Sequence, residues 1–222
     1  MSDVQFEPHE VVWTREKSGR FWASKAAFSD ASIPYFSQEV GSSLLRFVES
    51  NGVPLKGRVI DFGCGLGHLI ERLLEKQIPA QGIDFSEESV EAVRKRLGSN
   101  PLFRGAEVVH GIPTHLPAGG FDTVLLIETI EHLLDGDLEA TADELFRITA
   151  PGGHVIVSTP HDEFLPGSET MCPDCGGRFH KMQHVRSWNP RTLSAFMGQH
   201  GFREVFSRPV YLSDTWARTR LL

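Results

Sequence analysis

Between residues 58 and 159, short apolar runs alternate with amphipathic stretches. RVIDF (58–62), AQGID (80–84), AEVVH (106–110), FDTVLLI (121–127) and HVIVST (154–159) have strand length. Several are apolar at consecutive positions, as strands buried on both faces are. Between them, His68 to Glu75, Glu87 to Leu97 with Ser86 as cap, and Asp137 to Thr149 read as helices, the last with Leu138, Ala142, Leu145 and Phe146 on one face. Strand alternating with helix at this spacing predicts an α/β fold with a doubly wound, mostly parallel sheet. A later helix has clear ends: Asn189 as cap, Pro190 at its first position and Gly201 just past its last turn. The stretch REVFSRPVYLSDTWARTRLL that follows offers two more strands, which would make seven.

Two segments stand outside this alternation. The first 36 residues hold seven of the 21 aromatic residues (Phe6, Trp13, Phe21, Trp22, Phe28, Tyr35 and Phe36) without a clean period. They predict either an N-terminal helical cap over a site or a helical layer that packs its rings inward. The second segment, residues 160–188, contains CPDCGGRFHKMQH. A single domain is expected: cap 1–52, ligand-binding core 57–159, a Cys/His insertion at 160–188, and a C-terminal helix with strands at 189–222.

Composition narrows the partners. The 22 basic and 29 acidic residues leave a net charge of -7, which gives no electrostatic reason to expect DNA or RNA. MSDVQFEPHE has neither a basic start nor an apolar segment, and no apolar run approaches the roughly 20 residues of a membrane helix. A cytoplasmic protein is expected, without membrane insertion. Three cysteines, two of them in a C-x2-C pair, point to metal or redox chemistry rather than a disulfide scaffold. The oligomeric state is left open.

The strand-to-helix turn VIDFGCGLGHL places Gly63, Gly65 and Gly67 where backbone can approach a ligand. His68 stands where the dinucleotide pattern requires its last glycine, which argues against a nicotinamide dehydrogenase. An acid, Asp84, ends the next strand, and a carboxylate can accept from both hydroxyls of a ribose. The plainer account of Asp84 is an acid favoured at the start of the following helix.

Four blocks in order, VIDFGCGLGHL, GIDFSEESVEAVRKR, FDTVLLIETIEHL and ITAPGGHVIVSTP, resemble the class I S-adenosylmethionine-dependent methyltransferases over about residues 57–207. The resemblance implies their Rossmann-like, seven-stranded fold. It also implies that Asp61 and the backbone from Gly63 through Cys64 and Gly65 to Gly67 hold the methionine end of the cofactor, with Asp84 on the ribose. His68, Phe85 and Glu128 are counted with this cofactor site. The family often places an acid near the adenine after the third strand, and here Ile112 stands in that position.

IETIEHL follows the fourth strand. If it continues as a helical turn, Glu128, Glu131 and His132 share a face that could hold a hard divalent ion such as Mg2+ or supply a base. This Glu-x-x-Glu-His resembles quinone-precursor O-methyltransferases and small-RNA 3′-terminal methyltransferases, and the resemblance makes His184 a further member of the set. His132, His184 and Glu131 are therefore the catalytic candidates, and the expected reaction is O-methylation of a small-molecule or sugar-like acceptor. Cys172, Cys175, His180 and His184 form C-x2-C-x4-H-x3-H, close to zinc-knuckle spacing, so a structural zinc is expected there. One imidazole cannot do both jobs, and the sequence leaves His184 between zinc and substrate. An RNA-terminal methyltransferase and a non-catalytic, zinc-bearing binding module are the competing readings.

Overall fold

Branched and aromatic side chains decide where the sheet runs. Residues 6–27 and 35–213 are described in a computed structural model. Strand β1 spans His9–Glu10 and helix α1 Arg15–Ala27, followed by α2 over Phe36–Ser50. Next come β2 (Val59–Phe62), α3 (His68–Glu75), β3 (Ala80–Asp84), α4 (Glu87–Leu97), β4 (Phe103–Val108) and β5 (Phe121–Ile127). The chain continues through α5 (Asp135–Ile148), β6 (Thr149–Ser158), β7 (Glu169–Met171), β8 (Gly177–His180) and α6 (Pro190–Gln199).

Five strands make one parallel sheet in the order β4-β3-β2-β5-β6. Alternate residues feed opposite faces. Val59, Leu125 and Ile127 join Leu44, Leu45, Leu69, Leu73 and Val93 from α2, α3 and α4 on one side. Ile60, Val124 and Leu126 join Leu138, Leu145 and Ile148 from α5 on the other, where Phe196 and Met197 of α6 close the layer. Each such side chain contributes about 1.5–3 kcal/mol on full burial, so a polar substitution at Leu125 or Leu126 would cost more than any surface change. The chain order reverses between β2 and β5, and a ligand crevice belongs beyond the carboxyl ends of those two strands.

The five expected strands and four expected helices are present. Three helices keep their expected bounds, and α5 runs 135–148 instead of 137–149. The seven-stranded count is corrected: the main sheet has five strands, and described residues 202–213 form none. Pro209 offers no N–H to a ladder, and Arg203, Glu204 and Tyr211 are exposed. Residues 214–222 of the same expectation, and Phe28 of the aromatic segment, lie outside the described residues.

The insertion builds a sheet of its own. β7 and β8 form an antiparallel hairpin around the CPDCG turn, and β1 adds to β8 in parallel. The N-terminal arm is therefore joined by backbone pairing to the Cys/His insertion. Among the described residues, no helix is long and apolar enough to cross a membrane.

Candidate active site

Two buried carboxylates flank the glycine turn. Asp61 is the last residue but one of β2 and Asp84 ends β3, with 3% and 7% of their surfaces exposed. Asp84 Oδ2 accepts the N–H of Gly65 at 2.8 Å, and its Oδ1 accepts that of Ser86 at 2.9 Å. The turn is thereby tied to the neighbouring strand. Gly63, Gly65 and Gly67 have φ of 81°, 48° and 73°, which glycine adopts without the cost a side chain would add. No atom would lie within 4 Å of a β-carbon on Gly65, so open space stands over this loop.

Burial, with the charge of Asp84 added, pushes the Asp61 carboxyl up to about 7. Burial also raises Asp84, against hydrogen bonds from Ser86, Gly65 and Phe85 that lower it. Two buried acids, both raised by burial, suit a ligand with a cationic end and a diol, as S-adenosylmethionine has. The Cys64 side chain is buried against Gly82 and packs into the core, which leaves its backbone as the part that lies in the loop. Burial and then Arg96 hold the His68 imidazole below its usual range. Tyr35 leans over it with ring centroids 5.5 Å apart. Burial and the nearby Asp84 raise the Tyr35 hydroxyl, placing at the cofactor mouth a residue that the sequence offered only as part of an aromatic cluster. Phe85 is 52% exposed beside Asp84, and Ile112 lines a depression together with Val108 and Thr114.

The second half of the site lies at the end of β5. IETIEHL makes a single 3-10 turn over Ile130–His132, not the first turn of a helix. Glu128 sits outside it with φ 49°, and its Oε1 accepts the Ser158 hydroxyl at 2.7 Å. Burial lifts its carboxyl to about 7. The expected shared face of Glu128, Glu131 and His132 is corrected accordingly, because the left-handed backbone at Glu128 turns it away. Glu131 and His132 instead meet His184, with one ligand atom of each lying within 4.8 Å of the others.

Glu131 is 1% exposed, and neither carboxylate oxygen has a hydrogen-bond partner among the described residues. His132 Nε2 stands 3.7 Å from Oε1. Burial holds the Glu131 carboxyl well above its ordinary range, with the charge of Glu128 adding to the effect. Burial, followed by the neighbouring His184, holds His132 down to about 3.

Tautomers follow from the partners. His180 Nδ1 accepts the N–H groups of Met182 and His184, both at 3.2 Å, so its Nε2 carries the proton and donates to Glu163 Oε1 at 3.1 Å. His184 Nδ1 donates to the other oxygen of Glu163. That leaves His184 Nε2 as a free acceptor on the side of His132, whose ring centroid is 4.8 Å away. Glu163, His180 and His184 could also gather a metal, though these hydrogen bonds already engage both carboxylate oxygens.

A lid covers the cluster. Trp22 of α1 meets the His132 ring edge-on at 4.7 Å and donates its Nε1–H to Gln183 Oε1 at 2.7 Å. Gln183 is fully buried, donates Nε2 to the His132 carbonyl at 3.0 Å and has φ 60°. Glu163 and Gln183 hold this cluster together by hydrogen bonds, and sequence reasoning did not single them out. Neither belongs to a periodic pattern or a spaced motif.

The expected zinc knuckle is corrected. Cys172 and Cys175 occupy the turn, whereas His180 pairs with Glu169 at the far end of the β7–β8 ladder. Three residues of extended strand, roughly 10 Å, separate His180 from Gly177 beside the turn. His184 belongs to the buried cluster with Glu131, His132 and Glu163.

This fold, with its glycine turn between two buried acids, defines the class of Rossmann-like, S-adenosylmethionine-dependent methyltransferases. The chain belongs to the methyltransferase domain family, whose model matches residues 35–205. It is 28% identical over 177 residues to a ubiquinone biosynthesis O-methyltransferase of Psychrobacter cryohalolentis, covering 70% of this chain and 65% of that one. It is 32% identical over 136 residues to a norajmaline N-methyltransferase of Rauvolfia serpentina, covering 59% and 46%. The crystal structure of an S-adenosylmethionine-dependent methyltransferase from Aquifex aeolicus superposes with a TM-score of 0.58 at 19% identity, covering 86% of this chain and 93% of that one. The chain thus spans slightly under two thirds of the first of these relatives.

Proposed function

We propose that the protein methylates an oxygen of a small-molecule acceptor, with His184 as the base. The observation that carries this reading is the free Nε2 of His184, fixed by the Glu163 hydrogen bond on its Nδ1 and aimed into a buried cluster. The relatives named for ubiquinone biosynthesis support an oxygen acceptor, and the residues support it independently.

S-adenosylmethionine, when bound, supplies a methyl group on a positively charged sulfur. The open backbone over Gly65 and the Asp61 and Asp84 carboxylates fit its amino-acid tail and its ribose. His184 Nε2 would take the acceptor's hydroxyl proton while the methyl group passes from sulfur to oxygen, the sulfur leaving as the neutral thioether of S-adenosylhomocysteine. Glu163 then faces an imidazolium and stabilises it, as a carboxylate does in other histidine bases. His132, kept neutral, orients the acceptor without competing for the proton. Trp22 and Gln183 exclude water, which would otherwise compete for the hydroxyl.

A second reading rests on Glu131. A buried carboxylate without a partner, beside two imidazoles, is a donor set for one divalent cation such as Mg2+ or Zn2+. The ion would lower the acceptor's hydroxyl pKa in place of a base. Turnover to S-adenosylhomocysteine with catechol-like acceptors, measured after chelation and after adding back each cation, tests both readings. Full activity in chelator with an about 10²-fold or greater loss in His184→Ala supports the base. Loss in chelator that Mg2+ restores supports the ion. No product with any oxygen acceptor, from protein that still binds the cofactor, would reject methylation at this site.

A further inference from the structure

Cys172 and Cys175 take no part in the cluster around His184, and one tight turn carries both thiols. Cys172 donates its N–H to the Gly177 carbonyl at 2.9 Å, which closes the turn. Gly176 donates its N–H to the Cys172 carbonyl at 2.9 Å from a φ of 78°. A β-carbon on Gly176 would stand 2.5 Å from the Glu7 carbonyl oxygen, because the N-terminal arm lies directly against the turn. The N–H groups of Glu7, His9 and Val11 donate to the carbonyls of Cys175, Gly176 and Arg178 at 3.3, 3.1 and 2.9 Å.

This ladder delivers an imidazole to the cysteines. His9 Nε2 and Cys175 Sγ each lie 3.4 Å from the point that a β-carbon on Gly177 would occupy. His9 Nδ1 is 2.8 Å from the Glu7 carbonyl oxygen, which can only accept. The Nδ1 atom therefore carries the proton and Nε2 offers its lone pair. An imidazole whose far nitrogen is held by a carbonyl is the usual form of a metal ligand.

We propose that Cys172, Cys175 and His9 bind one zinc ion, with water in the fourth position, and that the ion clips the N-terminal arm to the hairpin. Two thiolates and an imidazole are a tetrahedral donor set that suits zinc above Mg2+ or Ca2+. The three ligand atoms do not all lie within 4.8 Å of one another, so the ion would draw the exposed hairpin turn and the arm together while His9 Nδ1 keeps its bond to the Glu7 carbonyl. α1 is the next element after β1, so the clip holds the root of the helix that carries Trp22 to His132. Neither His180 nor His184 takes part.

The test uses full-length protein purified without chelator from zinc-supplemented cultures, read by elemental analysis and zinc X-ray absorption. Native protein should carry a single zinc with two sulfur neighbours and one imidazole nitrogen. Cys172→Ser should lose it, and His9→Ala should weaken zinc binding by about 100-fold or more. His180→Ala should bind zinc as the native protein does. His9→Cys should restore binding and add a third sulfur neighbour. His9 is exposed and outside both core clusters, so its variants keep the fold, and cofactor titration by calorimetry checks that they do. Zinc absent from native protein, or held at full strength by His9→Ala, overturns the proposal.

Discussion

Asp61 is the side chain on which pH acts most plainly. Its carboxyl titrates at about 7 in the folded chain against an ordinary 3.8. A raised value means that the folded state holds the proton more tightly. Its contribution to stability is complete below about 3.8 and vanishes as pH climbs through about 7. The ligand-free protein should therefore melt at lower temperature at pH 8 than at pH 6.5, and Asp61→Asn should reduce that difference in calorimetric scans, the remainder coming from Glu128. Cofactor affinity should move the other way, because the cationic amino-acid tail prefers the ionised acid. The dissociation constant should rise as pH falls from 7.5 to 5.5, with protons released on binding when titrations are repeated in two buffers. Glu163 offers a second test at this scale. Glu163→Ala should lower kcat by about 10-fold or more with the cofactor's affinity unchanged, since it frees the imidazole of His184 without touching the glycine turn.

At the scale of elements, what the sequence made legible followed from local rules. The Asn189 cap accepts the Thr192 N–H at 3.0 Å and the Thr192 hydroxyl faces back to the Asn189 N–H, so the expected start of α6 is reproduced by a reciprocal cap. Asn189→Ala should cost about 1 kcal/mol in denaturant unfolding. The glycine turn and Asp84 were equally legible, because the bond from Gly65 to Asp84 joins two motifs that each announce themselves. The knuckle misled because its spacing can be read as a turn throughout, whereas Gly177–His180 pairs with Glu169–Met171 as strand. Glu128 misled for a related reason, as its positive φ breaks a helical face that residue type alone suggests. Glu163 and Gln183 come to the cluster only when the segments before and after the hairpin bond to His180, His184 and His132. Trp22→Phe examines that arrangement: the ring stays on His132 while Gln183 Oε1 loses its donor. A loss of about 1–3 kcal/mol and a several-fold fall in turnover are expected, by thermal melting and product assay.

For the whole molecule, a cation at the buried cluster and the stability of the fold are linked. Glu131 holds a buried carboxyl that burial keeps well above its ordinary range, so a bound cation would displace its proton. If Mg2+ binds there, a concentration 100 times its dissociation constant should stabilise the protein by about 2.7 kcal/mol. Glu131→Ala should abolish that response, as seen by melting in matched ionic strength. Unchanged melting of the native protein in Mg2+ would leave His184 to act as the base. Either way the two halves of the site meet where β2 and β5 lie side by side: a β-carbon on Gly63 would come within 3.0 Å of Thr129, so the cofactor loop and the segment bearing Glu131 and His132 are packed as one surface.

The parallel pairing of β1 with β8 also sets an order of events during synthesis. His9 leaves the ribosome early, while Gly177, its partner across the ladder, emerges only after all five strands of the main sheet. Contacts so distant along the chain close slowly. The nascent chain thus completes the five-stranded sheet before β1 can find β8, and the earlier of these two strands waits for the later.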